Sequence, residues 1–154
     1  MIIRETKIHE AKLKGIVLSF KLPYEVIALD SRGSVGGLTI LWNPAEVIFE
    51  DWVSSPWIII GRFKHIGSND WVLLTRVYGP HTPGEKEVFL HNLASMRREF
   101  QEELWIVGGD FKMITSLEEK KGGIHRHDPD MDMFRDAISE LKMVDPQTNN
   151  RTFT

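Results

Sequence analysis

Apolar residues recur at two different periods along this chain, and the switches between them mark out strands and helices. Ile2-Ile3 opens a short apolar segment that runs out into Glu5-Thr6-Lys7, the pattern of a strand leading into a loop. Residues 8–22 mix the two periods and predict a short helix interrupted near Gly15, then a strand. Ser31 to Ser34 reads as a turn. Gly37 to Trp42 reads as a buried strand stopped by Asn43-Pro44, with Val47 to Trp52 as its antiparallel neighbour. Two further apolar runs, Trp57–Phe63 and Trp71–Tyr78, flank the turn-rich Gly67-Ser68-Asn69-Asp70 and predict a hairpin.

Beyond Gly79-Pro80 the period changes. Thr82, Pro83 and Glu85 form a helix-start signature, with Thr82 as N-cap, proline at the first helical position and Glu85 completing a capping box. Phe89, Leu93, Met96, Phe100 and Leu104 then lie on one helical stripe. Leu104 to Gly109 is the best candidate for a central buried strand, with Asp110 at its C-terminal end. A polar loop over 115–128 leads to Asp128-Pro129. These cap a second helix whose first turn carries Asp130 and Asp132 and whose apolar face is Met131, Phe134, Ile138 and Leu141. A turn over Pro146–Asn150 and the start of a strand, Thr152-Phe153-Thr154, close the chain. Strands and helices alternate without a repeat or linker, so residues 1–154 are expected to form one layered α/β domain.

Composition narrows the functional classes. The chain has 154 residues, 42% hydrophobic and 27% charged, which excludes a disordered or fibrous protein and suffices for a core. There are no cysteines, which removes disulfides, thiolate metal sites and a cysteine nucleophile, and fits a reducing, intracellular setting in the nucleus or cytoplasm. Nineteen Lys+Arg against 22 Asp+Glu give a net charge of −3, and the basic residues are scattered. Nucleic-acid contact is therefore expected to be local, through a metal, rather than through a broad basic field. The longest uncharged stretch, Gly33 to Ala45, is too short and too glycine-rich to cross a membrane.

Four features carry possible chemistry: Glu5, Tyr78 in Val77-Tyr78-Gly79-Pro80, Asp110 in Gly108-Gly109-Asp110-Phe111, and the run His125-Arg126-His127-Asp128. Singly, each fits a plain role as a solvated charge, a turn or a polar loop. Asp110 is the most suggestive, because ligands of α/β sheets gather outside the carboxyl ends of strands. His125 and His127, if extended, suit a transition metal with Asp128 or Asp130 as a third ligand; the same run equally suits a solvated loop before a helix.

Taken in order, these pieces resemble the endonuclease/exonuclease/phosphatase superfamily, and most closely the endonuclease domain of plant LINE-type (non-LTR) retrotransposon proteins. The matching segments are Glu5-Thr6-Lys7, Gly36-Gly37-Leu38 with Leu41-Trp42-Asn43, Val77-Tyr78-Gly79-Pro80, Trp105 to Phe111, Glu119-Lys120 with Gly122-Gly123, Phe134, and Thr152-Phe153-Thr154. The resemblance implies a four-layered α/β sandwich and a magnesium-dependent phosphodiesterase acting on nucleic acid. It implies that Glu5 and Asp110 hold Mg²⁺ on oxygen ligands, that Asp110 also orients or deprotonates the attacking water, and that Tyr78 hydrogen-bonds a phosphate oxygen.

Lys112 departs from the pattern, since the family places asparagine there. On an extended segment Lys112 would share a face with Asp110, pair with it and disfavour a neighbouring Mg²⁺. The family also has an asparagine-bearing strand ahead of the glutamate motif, and further aspartates and a histidine beyond the last segment matched. The expectation is thus part of a full sandwich, with hydrolysis weak or absent. A bare sheet face or edge around Trp57–Ile60 and Leu104–Val107 would be covered by a second copy in a homodimer, or the domain would act as a non-catalytic, self-associating module.

Overall fold

A computed structural model describes residues 10–30, 37–100, 104–116 and 129–145. The expectations for Ile2-Ile3, Ser31–Ser34, most of the 115–128 loop, the Asp128 cap and everything from Pro146 onward lie outside the described residues.

Among the described residues, nine elements follow one another: α1 (Glu10–Ser19), β1 (Glu25–Leu29), β2 (Leu38–Trp42), β3 (Val47–Ser55), β4 (Ile58–His65), β5 (Val72–Tyr78), α2 (Pro83–Arg98), β6 (Leu104–Asp110) and α3 (Pro129–Glu140). They form four layers. β1 and β2 pair antiparallel as a two-stranded sheet, while β3-β4-β5-β6 form a second sheet in sequence order. The outer face of the small sheet packs on α1 through Leu13, Val17, Val26 and Leu41. Its inner face meets the large sheet through Ile27, Leu38, Ile40, Trp42, Ile59 and Phe63. The far face of the large sheet carries α2 and α3 over Ile58, Ile60, Leu73, Val77, Phe89, Leu93 and Phe134. All five residues of β2 are buried because both of its faces are covered.

The 8–22 segment departs from its sequence reading. The helix runs unbroken through Gly15 to Ser19, and no strand follows before β1. Leu13 and Val17, four apart, make one buried stripe, and tertiary cover of that stripe outweighs the glycine's cost of about 1 kcal/mol. The partner of β2 is likewise not Val47–Trp52 but β1, with Ile27 opposite Ile40. β3 instead pairs antiparallel with β4, placing Val53 opposite Ile60. Its alternating burial suits a strand with one covered face, which the small sheet's doubly covered interior does not offer.

The hairpin of β4 and β5 forms as its pattern predicts, with Ile58 opposite Val77 and Ile60 opposite Thr75. Gly67, at φ 89°, makes the bend between them possible, and the Asp70 N–H donates to Ser68 Oγ at 3.1 Å. Between the sheets, the rings of Trp42, Phe49 and Phe63 pack with centroids 4.6 to 5.4 Å apart.

α2 begins where expected, with Thr82 as N-cap in extended conformation and Pro83 at the first helical position. The reciprocal capping box does not form. Thr82 Oγ1 donates to the Glu85 carboxylate at 2.5 Å, so this charge-assisted bond engages the two side chains with each other rather than with backbone amides. Phe89 and Leu93 are fully buried, each contributing about 1.5–3 kcal/mol. The helix stops at Arg98, so the stripe ends before Leu104, which belongs to β6. α3 buries Met131 and Phe134 and is tied to α2 by Lys86 Nζ donating to Asp130 Oδ2 at 2.6 Å.

β6 pairs parallel with β5 and, among the described residues, is the edge of its sheet rather than a central strand. Its helix-side residues Trp105 and Val107 pack on the core, while Leu104 and Ile106 on the other face are 62% and 56% exposed. The run reads as fully buried because both faces are apolar, yet among the described residues the small sheet has two strands and does not reach Ile106. An open, largely apolar cleft of about 440 Å³ is left there, lined among others by Trp42, Phe63, Leu74 and Ile106.

Candidate active site

Side chains alternate across the large sheet, which decides what can meet at the C-terminal ends of β5 and β6. On β5, Leu73 and Val77 enter the helix-side core, so Leu74, Arg76 and Tyr78 face the small sheet. On β6, Trp105 and Val107 face the helices, so Ile106 and Asp110 face the other way. The parallel register sets Tyr78 directly beside Asp110. Two of the residues singled out in the sequence thus end on one rim, on one face, at the carboxyl ends of neighbouring strands.

The backbone here is tightly drawn. The Gly79 N–H donates to the Asp110 carbonyl at 2.6 Å, and the Tyr78 N–H to the Trp57 carbonyl at 3.0 Å. Gly109 has φ 155°, and a Cβ at that position would lie 2.0 Å from the Val77 carbonyl oxygen. A Cβ on Gly79 would lie equally close to the Phe111 carbonyl oxygen. Both glycines are therefore demanded by the close approach of the two strand ends. Trp105 Nε1 donates to Thr75 Oγ1 at 2.7 Å, a side-chain clasp between the same strands on the helix side. Phe111 then inserts between Phe89 and Phe134, with ring centroids at 6.1 and 5.0 Å, and anchors the segment after β6 on the helical layer.

With Phe111 held inward, the chain turns at Lys112, whose φ is 55°. The Lys112 N–H donates to Asp110 Oδ1 at 3.0 Å, and Lys112 Nζ lies 2.5 Å from Asp110 Oδ2. The pairing expected from the sequence is present, but a left-handed residue closing an Asx-type turn produces it, not an extended strand. The ammonium also sits 4.9 Å from the centre of the Tyr78 ring. Its pKa is raised above the usual lysine value of 10.5, first by the hydrogen bond with Asp110, against a smaller opposing effect of burial, with Asp110's charge and Tyr78 adding to the rise. Lys112 is thus a cation throughout the neutral range.

Arg76 was not among the residues marked by the sequence patterns. It is only 4% exposed, on the inter-sheet face of β5 two residues before Tyr78, opposite the side-chain-free Gly108. The signal was there: a lone charge in the apolar run Val72–Tyr78, beside a strand whose matching position is glycine.

A divalent cation fits Asp110 poorly. Mg²⁺ bound to Oδ2 at about 2.1 Å would lie within about 5 Å of Lys112 Nζ. Two positive charges against one at that distance repel by about 7 kcal/mol at an effective dielectric near 20, reduced by solvent at a carboxylate that is 41% exposed. Among the described residues, no three His, Asp or Glu side chains converge to hold a metal ion. Glu5, His125, His127 and Asp128 lie outside the described residues. Asp130, the remaining member of the histidine-run proposal, accepts from Lys86 at a site where the two side chains are 12% and 22% exposed.

No family model matches the chain, and no curated protein matches it. Solved structures do. A humanized D. rerio TDP2 aligns with TM-score 0.52 and 15% identity over 72% of this chain and 48% of its own. An endonuclease/exonuclease/phosphatase family protein from Bacteroides thetaiotaomicron aligns with TM-score 0.53 and 15% identity, covering 68% and 46%. ANGEL2, described as a 2′,3′-cyclic phosphatase, aligns with TM-score 0.51 and 10% identity, covering 73% and 39%. The chain therefore has the α/β sandwich fold of endonuclease/exonuclease/phosphatase proteins and spans about half the length of the structures it matches, or less. No described helix is long and apolar enough to cross a membrane.

Proposed function

We propose that the rim formed by Tyr78, Asp110 and Lys112 binds a phosphate ester of a nucleic acid, as a member of the endonuclease/exonuclease/phosphatase superfamily related to plant LINE-type endonuclease domains. The observation that carries this reading is the meeting of those three side chains at the carboxyl ends of two adjacent parallel strands, facing the second sheet. A phenol and an ammonium supply donors for phosphate oxygens. The fold likeness supports the substrate class, because ANGEL2, which shares the sandwich, was captured with adenosine-2′,3′-vanadate.

Hydrolysis of a phosphodiester, magnesium-dependent in the parent activity, is weak or absent in this chain. Asp110, with both oxygens accepting from Lys112, is a poor base for water. Fluorescence anisotropy of a labelled single-stranded oligonucleotide tests the binding, and nicking of supercoiled plasmid in Mg²⁺ tests turnover. The reading predicts binding that is lost in Lys112→Met and nicking far below a competent nuclease. Absence of binding by the wild-type chain would refute it, and nicking that survives Asp110→Ala would belong to a contaminant.

A second reading, self-association, rests on the exposed Leu104 and Ile106 of the edge strand β6. An isologous pairing of β6 with β6 of a second copy would continue the sheet and set Leu104 and Ile106 against their counterparts on one face. Sedimentation at micromolar concentration tests it. A dimer dispersed by Ile106→Lys supports it, and a stable monomer refutes it.

A further inference from the structure

Asp110 is aimed at the rim where a phosphate-handling site would keep a cation, yet Lys112 contacts both of its oxygens. A lysine swinging freely on its stem would leave such a place open much of the time. This one is restrained three ways: by its own amide on Oδ1, by its ammonium on Oδ2, and by the Tyr78 ring beneath the ammonium. The left-handed backbone at Lys112 folds the side chain back over the preceding carboxylate, and about a quarter of that side chain remains open to solvent.

We infer that the Lys112 ammonium is a built-in monovalent cation at Asp110, and that the rim takes a phosphate oxyanion directly through it without a metal. The inference rests on the phosphate-ester reading above and adds the means of recognition. An ammonium carries three donors, of which Asp110 takes one. The Tyr78 hydroxyl is hydrogen-bonded with the ammonium as well, so one donor is left for a phosphate oxygen, which gains a charge-assisted bond, while the hydroxyl proton of Tyr78 can be given to a second oxygen. A single positive charge attracts the ground-state phosphate but neutralises less of the charge that develops during phosphoryl transfer than a divalent ion does. Metal-independent binding and feeble turnover thus have one cause.

Amide NMR of the full chain separates the parts of the inference, with Mn²⁺ as the cation probe and inorganic phosphate as the anion probe. In the wild type, substoichiometric Mn²⁺ leaves the Gly109, Asp110 and Phe111 amides sharp, whereas in Lys112→Met it broadens them selectively. Phosphate shifts the Tyr78 and Gly79 amides of the wild type equally in EDTA and in Mg²⁺, and in EDTA Lys112→Met binds it about tenfold more weakly or worse. Lys112→Gly, which suits the positive φ, carries the same comparison if the methionine variant fails to fold. Equal Mn²⁺ broadening in wild type and variants overturns the inference, as does phosphate binding by the wild type that collapses in EDTA. Rim amides that ignore phosphate while Mn²⁺ still distinguishes the proteins would sink the phosphate-ester reading and leave the cation role of Lys112 supported.

Discussion

Asp110 and Lys112, two residues apart, make a closed ring: the lysine amide donates to one carboxylate oxygen and its ammonium reaches the other. The ring exists because Phe111 between them is pinned by Phe89 and Phe134, so the chain must turn at Lys112. The same clamp that forms the helical core therefore shapes the rim.

The pH dependence of that ring has a definite sign. The folded-state pKa of Lys112 is raised, so its stabilising contribution is complete below the unfolded value near 10.5 and is lost as pH climbs through the folded value. The melting-temperature gap between wild type and Lys112→Met should be constant from neutral pH to about pH 10 and should close above that. A gap that closes toward neutral pH would contradict the assignment.

Glycine positions separate into two kinds. Gly109→Ala should destabilise by about 2–5 kcal/mol, since the added methyl meets the Val77 carbonyl and the backbone is strained for any L side chain. Gly15→Ala, with open space around the new methyl in an exposed helix interior, should stabilise by up to about 1 kcal/mol. Urea midpoints of the two variants, measured side by side, check both signs.

The ion pair between α2 and α3 should behave as a partly buried one. Asp130→Ala strands the Lys86 ammonium where its side chain is 12% exposed, and should cost about 1–3 kcal/mol. Adding Lys86→Met should recover most of the loss. Chemical denaturation across the double-mutant cycle measures this, and additive losses would show that the pair is not coupled.

Phe111→Ala removes the pin between α2, α3 and the rim. It should cost about 3 kcal/mol. It should also weaken oligonucleotide binding more than Phe89→Leu does, because only Phe111 adjoins Asp110 and Lys112. Equal effects on binding would mean that Phe111 acts through stability alone.

Local pattern carried much of this fold. The β4–β5 hairpin was legible because both strands and their turn lie within one short stretch, and α2 because Pro83 and the Phe89/Leu93 stripe repeat at helical spacing. Partners distant in sequence were not legible. Val47–Trp52 follows Gly37–Trp42 closely, yet β2 pairs with β1 across a longer connection, and nothing local distinguishes the two choices. β6 differs from its sequence reading for another reason: an apolar run states that both faces prefer cover, and among the described residues only the helix-side face has it. At the rim, strand ends and the parallel register bring Tyr78 and Asp110 together. The left-handed turn at Lys112 depends on packing that no spacing encodes, whereas the buried Arg76 left a trace as the lone charge in the apolar run Val72–Tyr78.

β5 and β6 form the lone parallel ladder among the described strands, and the whole of α2 intervenes between them. The antiparallel meander β3-β4-β5 needs only short loops to close, whereas this ladder must wait for a long excursion to return. On loop-closure grounds Tyr78 is expected to take its place before Asp110 and Lys112, which depend on the slower closure. Phosphate recognition at the rim would then serve as a stopwatch for the final step of folding, silent in every intermediate that has built only the meander.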